Sequence, residues 1–231
     1  MLPADKKTDA AAREKAIYAE NLLNRSIIAD AIKQMVLVVI SLGFSNAFTN
    51  LSKQPPLLPS GLSLEIFVIY ILIGTRFLLT SWLYLSTTYR DTPNSDEHLK
   101  KLNIEPDAVG ISLTGILIGV QSSYATVDNL RYFFCLFCLV LFVDVVSSAI
   151  SLAINREVAK DKGLRHELYW ILNNAVLGAA MFVVIVMYVP LDPGAVFAPS
   201  GWPVVALMIA ASLNCLISLG ISWCGYFRPQ R

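Results

Sequence analysis

The chain has 231 residues, of which 55% are hydrophobic and 15% are charged, and its formal net charge is +1 at pH 7. Soluble domains usually carry about 25% charged residues, and long apolar runs that are typical of membrane spans account for the shortfall here. Because the chain has no basic surplus, its composition gives no support to nucleic-acid binding, and we predict the lipid bilayer as its main partner.

The chain begins with a charged segment that predicts a helix. Residues 5–33 are rich in Ala, Glu, Lys and Arg and contain neither Gly nor Pro. Ile28 and Ile32 are four residues apart and give this helix a patchy apolar side. The helix therefore either lies along the membrane surface or leads, solvated, into the first span, and both interpretations stay open. No apolar stretch like that of a signal peptide precedes residue 35, so we expect insertion through the internal spans.

Long apolar segments follow, separated by charged or turn-forming residues. Pro55, Pro56 and Pro59 end the first of them, because proline cannot continue a helix. Segments of roughly 17–25 apolar residues are long enough to cross a bilayer. The clear predicted spans cover residues 35–51, 64–88, 131–154, 168–189 and 203–223.

Residues 108–127 form a sixth, less apolar segment, and the distribution of Lys and Arg indicates whether it crosses the membrane. Cytoplasmic loops are enriched in both residue types. If 108–127 crosses and the N-terminus is cytoplasmic, fifteen of the eighteen Lys and Arg residues lie in cytoplasmic regions; only Lys53 and Arg131 lie outside, and Arg76 lies within a span. If it does not cross, the basic loop 155–167 falls outside and the bias largely disappears. We therefore predict an all-α bundle of six spans with both termini cytoplasmic, with five spans plus a re-entrant segment at 108–127 as the alternative.

This topology predicts three parts of the chain. Residues 1–34 form a cytoplasmic or interfacial N-terminal helical segment, residues 35–225 form the transmembrane bundle, and residues 226–231 form a short cytoplasmic tail. We expect a multi-pass protein of a bacterial inner (plasma) membrane, or of another membrane with a cytosolic face.

Two glycines in the sixth segment suggest close helix packing. Gly115 and Gly119 are four residues apart and therefore share one face of a helix. Small residues at this spacing let transmembrane helices approach closely, so we predict that this face packs against a neighbouring helix.

Two opposite charges lie at the centres of two predicted spans. Asp144 is the only charged residue between Tyr132 and Ile154, and Arg76 lies near the middle of its own span. An unpaired charge near the bilayer midplane costs roughly 2.5 kcal/mol or more. We therefore predict that Arg76 and Asp144 contact each other, directly or through water.

Helical spacing places further polar residues beside both charges. Residues three, four and seven positions after Asp144 share its side of the helix, and residues four and eight positions after Arg76 share the other. Intramembrane polar residues generally face the bundle interior or a wet cavity. Besides the two charges, the predicted polar seam contains Thr80, Tyr84, Ser147, Ser148, Ser151, Asn173, Asn174 and Asn214.

We find no sequence pattern of a catalytic, metal or cofactor site. Cys135 and Cys138 have CxxC spacing, but they lie inside a predicted span without the further ligands that zinc requires, so we interpret them as packing residues. A single buried aspartate also lacks the second carboxylate of an aspartyl-protease dyad. We predict a protein that is not an enzyme and that has neither a metal nor a cofactor.

The polar seam is compatible with several functions. The Arg76–Asp144 pair either fixes the register of the helices or lines a path for ions, protons or a small solute; a binding pocket and a polar face between copies of a homo-oligomer are further alternatives. Our functional prediction is a small channel, pore or transport-type protein centred on this pair. The alternative is a non-transporting membrane anchor or interaction module that docks a cytosolic partner through its basic loops and N-terminal segment. A channel requires polar side chains that reach both faces, whereas an anchor has a dry core around a closed pair.

Overall fold

The computed structural model describes residues 4–53, 60–89, 103–155, 165–188 and 201–227. All regular structure in these ranges is helical, which confirms the all-α prediction. The six α-helices are α1 (Ala4–Lys53), α2 (Ser60–Tyr89), α3 (Glu105–Gln121), α4 (Leu130–Ile154), α5 (Arg165–Tyr188) and α6 (Trp202–Phe227).

Five of these helices are long and apolar enough to cross a membrane. α3 is not among them, because its 17 residues reach only about 25 Å, against a hydrocarbon core of about 30 Å. The helices indicate an integral, multi-span membrane protein. The candidate spans within the described ranges are Leu23–Lys53, Gly61–Thr88, Val127–Ile154, Glu167–Tyr188 and Trp202–Cys224.

The predicted segment 108–127 is helical only as far as Gln121. Two 3₁₀ turns follow, Ser122–Tyr124 and Val127–Asn129, and lead directly into α4. The amide of Asn46 in α1 donates to the hydroxyls of Ser122 and Ser123 at 2.9 and 3.1 Å, and Asn50 donates to the Ser122 carbonyl at 3.0 Å. These bonds occupy the backbone and side chains that a longer α3 would need, so the helix ends earlier than its apolar composition predicts.

Helix α1 is continuous across the predicted boundary at residue 34. It has 50 residues, which correspond to about 75 Å of helix. No glycine or proline lies between Ala4 and Met35, so nothing in this stretch stops the helix. The division at 34 is therefore a change in composition without a change in backbone conformation, and the orientation of residues 4–22 relative to the membrane remains a prediction.

Successive helices alternate in direction. α3 and α4 are joined along their length: the Gln121 amide donates to the Phe133 carbonyl at 3.0 Å, and the Asn103 backbone N–H donates to the Asn155 side chain at 2.9 Å. At the same end as the 3₁₀ turns, the rings of Tyr188 and Trp202 pack edge to face with centroids 4.5 Å apart. We call the end with residues 122–129 the Tyr124 end, and the opposite end the Asn155 end.

The helices form a closed ring in the order α1, α3, α4, α5, α6, α2 and back to α1. α2 and α3 also touch directly across the ring, where the Tyr70 hydroxyl donates to the Ile118 carbonyl at 3.1 Å. Because α3 fills the position between α1 and α4, the ring would be open without it. Side chains that point into the ring form the core of the protein.

Candidate functional site

α2 and α4 place Arg76 and Asp144 at the same depth of the bundle. Both helices start at the Tyr124 end, and each charged residue lies near the middle of its helix. Arg76 Nη2 donates to Asp144 Oδ2 at 3.1 Å, so the predicted contact is direct. Arg76 is 1% exposed and Asp144 is 9% exposed, so the two charges compensate each other out of contact with solvent.

Three helices donate hydrogen bonds to the Asp144 carboxylate. Thr114 of α3 donates to Oδ1 at 3.0 Å, while Arg76 and Asn174 of α5 donate to Oδ2 at 3.1 and 3.4 Å. An ionised carboxylate in a low-dielectric interior is stabilised only if such donors replace its water. The arrangement therefore keeps a charged Asp144 compatible with burial.

A chain of amides extends the pair to α5 and α6. Asn174 Oδ1 accepts from Arg76 Nη2 at 3.1 Å and from the Asn214 amide at 3.0 Å. The Asn173 amide donates to the Asn214 carbonyl at 3.4 Å and to the Ser218 hydroxyl at 3.0 Å. We call Arg76, Thr114, Asp144, Asn174 and Asn214 the central network. It joins five helices of the ring, all except α1.

The central network keeps unused hydrogen-bonding capacity. Within the described residues, Arg76 Nε, Arg76 Nη1 and Asn214 Oδ1 are buried and have no hydrogen-bond partner. The guanidinium also lies over the Trp170 ring, 4.8 Å from its centroid, which stabilises a buried cation. Buried polar atoms of this kind normally bind a protein group, water or a ligand. These three atoms are therefore the ones that a water molecule or a small polar ligand at the centre would bond.

Polar side chains continue from the central network towards the Asn155 end. Thr80 lies one turn further along α2, where its hydroxyl donates to the Arg76 carbonyl at 2.8 Å. Closer to the Asn155 end, the Tyr84 hydroxyl donates to Asp107 Oδ2 at 2.7 Å, and the Asn155 amide donates to the Ser151 hydroxyl at 3.3 Å. The buried polar residues on this side of the network are Lys33, Thr80, Ser81, Asp107, Ser151, Asn155, Ser218 and Ser222.

The core towards the Tyr124 end is apolar. Among the described residues, its polar exceptions are Ser63, the Tyr70 hydroxyl and, at the junction with the 3₁₀ turns, Gln121 and Ser122. Large aromatic and branched side chains fill the ring from the central network to this end. The largest of them are Ile66, Tyr70, Ile73, Ile118, Leu130, Phe133, Phe134, Phe137 and Leu141, each less than 2% exposed.

The predicted seam residues fall into two groups. Arg76, Asp144, Asn174 and Asn214 join one network, with Asn173 attached at its edge. The others lie outside the network: the Ser147 hydroxyl donates to the Asp144 carbonyl at 3.3 Å, and Ser148 is partly buried. Thr80, Tyr84 and Ser151 point towards the Asn155 side, as described above.

Two residues that contact the charges were not predicted from the sequence. Thr114 lies in the segment whose crossing was uncertain. Trp170 lies three and four residues before Asn173 and Asn174 and so shares their side of α5, but its aromatic ring was not counted among the polar seam residues. The position of Thr114 four residues after Gly110 and one turn before Ile118 places it on the buried face of α3, but only the packing of α3 against α4 identifies that face.

The two glycines of the predicted packing face contact different helices. A Cβ at Gly115 would lie 3.3 Å from the ring of Phe77 in α2, and one at Gly119 would lie 3.0 Å from Val39 in α1. Both glycines therefore lie where a neighbouring helix comes close. The closest approach in α3 is instead at Gly110, where a Cβ would overlap the side chain of Ser147 in α4.

That the protein has neither a metal nor a cofactor stays a prediction. Among the described residues, no group of three or more His, Cys, Asp or Glu side chains is placed to hold a metal ion. Cys138 is partly buried, and its thiol lies 3.9 Å from the Gly178 carbonyl, which is a packing contact between α4 and α5.

Comparisons with known proteins do not assign the chain to a family. No family model matches it, and no curated protein and no solved structure matches it either.

Proposed function

We propose that the protein is a transport-type membrane protein, closed at the Tyr124 end, and that the central network binds a proton, an ion or a small polar solute. The one-sided polarity of the ring interior carries this proposal. From Arg76 to the Asn155 end the core contains hydroxyl, amide and carboxylate groups beside apolar residues such as Leu85 and Ile104, while the opposite half is packed mainly with aromatic and branched side chains.

An ion pair that only fixes helix register does not require this asymmetry. The pair needs compensating donors at its own depth, and Thr114 and Asn174 supply them. Polar residues further along, such as Ser151 and Ser218, do not contact either charge. They are useful if water or a solute reaches the centre from the Asn155 end. A transporter exposes its central site to one side of the membrane at a time, so the other side must be closed. The apolar packing at the Tyr124 end would provide this closure.

An open pore is less compatible with this geometry. Conduction requires a continuous polar or wet route, and the apolar half of the ring interrupts it. The functional prediction therefore narrows from a channel, pore or transporter to a transport-type protein in a state that is closed on one side.

We further propose that α3 crosses the membrane and that the Asn155 end is cytoplasmic. The alternating helix directions and the position of α3 in the ring support a sixth crossing, which also places the basic loops on one side. A short helix can cross where the bilayer thins or where neighbouring helices cover its ends. A bacterial inner membrane remains our expectation for the compartment.

The second candidate function is a non-transporting anchor. It is favoured by the closed state of the pair, because the Asp144 carboxylate already accepts from three side chains. In this case the network only holds the bundle together, and function lies in the segments that face the cytosol. Both a protein partner of those segments and a homo-oligomer remain predictions.

Solvent access along the ring interior tests the two functions. In a chain whose four cysteines are replaced, Thr80→Cys and Ile73→Cys would be exposed to a charged, impermeant methanethiosulfonate reagent added to one side of the membrane. We expect Thr80→Cys to react quickly from the Asn155 side. Ile73→Cys, one turn towards the Tyr124 end from Arg76, should react slowly from the Tyr124 side, because a transporter opens there only transiently.

A lipid-facing position provides the control. Phe142 is 63% exposed on the outside of α4, so Phe142→Cys should not react with the charged reagent from either side. If Ile73→Cys stays unreactive from the Tyr124 side over hours while Thr80→Cys reacts, the site does not alternate and the anchor function is supported. If neither position reacts from either side, the core is dry and the transport proposal is wrong.

A further inference from the structure

A groove lies between α4 and α5 on the outer surface of the bundle. Its volume is about 540 Å³, which lies within the range of roughly 300–1,000 Å³ that ligand sites occupy. Leu139, Phe142 and Phe182 form its exposed rim, whereas Leu141 and Asn174 form its buried floor. Small residues at Ala175, Gly178 and Ala179 of α5 leave the space between the two helices open.

The groove faces hydrocarbon. All of its lining residues belong to the candidate spans Val127–Ile154 and Glu167–Tyr188, and none of them is charged. It extends along α4 from Cys135 to Val145, a distance of about 15 Å at 1.5 Å per residue. This is half of the roughly 30 Å of a hydrocarbon core and therefore matches one leaflet of a bilayer.

The position of the groove identifies the leaflet. One end of the groove reaches Asn174 at the depth of the central network. The end nearer the Tyr124 end of the bundle is at Cys135, one helical turn after Arg131. At that level the rings of Tyr124 and Tyr132 pack with centroids 5.6 Å apart, and aromatic residues of this kind lie at the headgroup boundary of membrane proteins. The groove thus runs from the Tyr124-end interface to the midplane.

The size of the groove selects among occupants. A helix with side chains is about 10–12 Å across, so 15 Å of it occupies about 1,200–1,700 Å³. This is well above the groove volume of about 540 Å³, so a helix from a second copy cannot enter the groove and could only rest on its rim. A single extended hydrocarbon chain is narrow enough to enter.

We propose that the groove between α4 and α5 binds one acyl chain of a phospholipid from the leaflet at the Tyr124 end, with the end of the chain packed against Asn174. Arg131, at the mouth, lies at the level of the lipid phosphate. Because Asn174 holds both Arg76 and Asp144, a bound chain also supports the side chain that completes the central network. This proposal is independent of the transport function.

Photolabelling tests the proposal. The purified protein would be reconstituted into vesicles of phosphatidylcholine that contain a small fraction of the same lipid with a diazirine near the end of one acyl chain. Labelled peptides would be located by mass spectrometry. At equal depth, we expect about tenfold more label on Val145, Ala175 and Ala179 than on the lipid-facing Leu213 and Leu216 of α6, which corresponds to a preference of about 1.4 kcal/mol.

Variants that fill the groove should remove this excess. Gly178→Phe places a ring in the groove, and we expect the label there to fall about tenfold, to the level of α6. Gly220→Phe is the matched control, because nothing lies within 4 Å of a Cβ at Gly220, and its labelling should equal that of the unmodified chain. Ala179→Leu, at an exposed position of the rim, serves as a second filling variant if Gly178→Phe does not fold.

Two outcomes would overturn the proposal. Equal labelling of the groove and of α6 in the unmodified chain would mean that only ordinary surrounding lipid touches both. Weak labelling of the groove together with a disulfide between copies that carry Phe142→Cys would mean that a second copy covers it. The comparison within the unmodified chain is decisive even if every variant fails to fold.

Discussion

Arg76 and Asp144 form a buried ion pair near the middle of the bundle. Each charge would be expensive alone in the middle of a membrane, and each removes most of that cost for the other. The structure adds that the pair is not isolated, because Thr114, Asn174 and the Trp170 ring complete its surroundings. Replacing one partner therefore leaves the other charge buried without its counter-ion. The surrounding hydrogen-bonding groups stay positioned for the side chain that has been removed.

The pair should show strong energetic coupling. We expect Arg76→Leu and Asp144→Leu each to reduce the free energy of unfolding by about 3–5 kcal/mol, because each leaves an uncompensated buried charge. The double variant should recover a substantial part of this loss. Thermal or denaturant unfolding in detergent micelles measures the three values, and a double-mutant cycle gives the coupling.

Additive effects of the two substitutions would contradict a direct contact between Arg76 and Asp144. If the losses in the double variant are simply additive, Arg76 and Asp144 are not coupled, and each must be stabilised by other groups. Asn173→Leu is a useful control, since Asn173 lies next to Asn174 in sequence but contacts only the edge of the network. It should cost clearly less than either charge replacement.

At the scale of single residues, the sequence predicts how far along its span a side chain lies better than it predicts which side of the helix faces the interior. The central positions of Arg76 and Asp144 follow from counting residues along each span, and their opposite signs predict contact. Thr114 and Trp170 could not be assigned in this way, because the side of a helix that faces the interior depends on its neighbours. Asn173 and Asn174 illustrate the limit: they are adjacent and chemically identical, yet only Asn174 contacts both charges.

The six helices themselves follow from the apolar runs, but some of their ends do not. Prolines and charged loops locate the ends of α2, α4, α5 and α6 to within a few residues. The end of α3 depends on Asn46 and Asn50, which are more than 70 positions away in the chain and bond the Ser122 turn. The continuity of α1 past residue 34 agrees with helix propensity, which does not change there although the composition does.

The contact between α3 and α4 is close enough to forbid a single methyl group. We expect Gly110→Ala to reduce the free energy of unfolding by about 1–3 kcal/mol, because the new Cβ would overlap the Ser147 side chain. Adding Ser147→Gly should restore much of the loss, since the nearest atom is then the Ser147 Cα at 3.8 Å. Thermal unfolding of the single and double variants in detergent checks both values.

Gly220 again provides the control, because its surroundings are open. Gly220→Ala should be neutral or stabilising by up to about 1 kcal/mol, from improved helix propensity alone. If Gly110→Ala is as harmless as Gly220→Ala, α3 and α4 do not pack as closely as the structure indicates.

At the scale of the whole molecule, the ring of helices depends on its shortest member. α3 contacts α1 on one side and α4 on the other. At its two ends, Gln121 donates to the Phe133 carbonyl and the Asn103 backbone N–H donates to the Asn155 side chain, at opposite ends of α4. The segment that contains α3 is less apolar than the five clear spans, and Gly110, Gly115 and Gly119 lie within it. The same glycines let the neighbouring helices come close to α3. The feature that makes α3 difficult to recognise as a span in the sequence therefore also lets it fit into the ring.

The two ends of the α3 region should be accessible from opposite sides of the membrane. Glu105 precedes the span and Asp128 follows it, and both side chains are exposed. In a chain without its native cysteines, we expect Asp128→Cys to react with an impermeant maleimide added outside, and Glu105→Cys to react only after the membrane is permeabilised. Lys53→Cys, at the same end of the bundle as Asp128, should behave like Asp128→Cys.

A re-entrant α3 gives a different pattern. Glu105→Cys and Asp128→Cys would then react from the same side, and the five-span arrangement would replace the six-span one. Reaction of Lys53→Cys only after permeabilisation, with Glu105→Cys accessible from outside, would retain six spans but reverse the orientation of the whole bundle.

The separation of Arg76 and Asp144 along the chain has a consequence for biosynthesis. The two residues are 68 positions apart, so at about 5–20 residues per second roughly 3–14 s pass between their synthesis on the ribosome. During this interval α2 must hold an arginine whose counter-ion does not yet exist, although its many Leu, Ile, Phe and Val residues favour insertion strongly enough to offset the charge. The ion pair therefore imposes an order on assembly: α2 and α3 can enter the membrane early, but α2 reaches its final position only after α4 has been made.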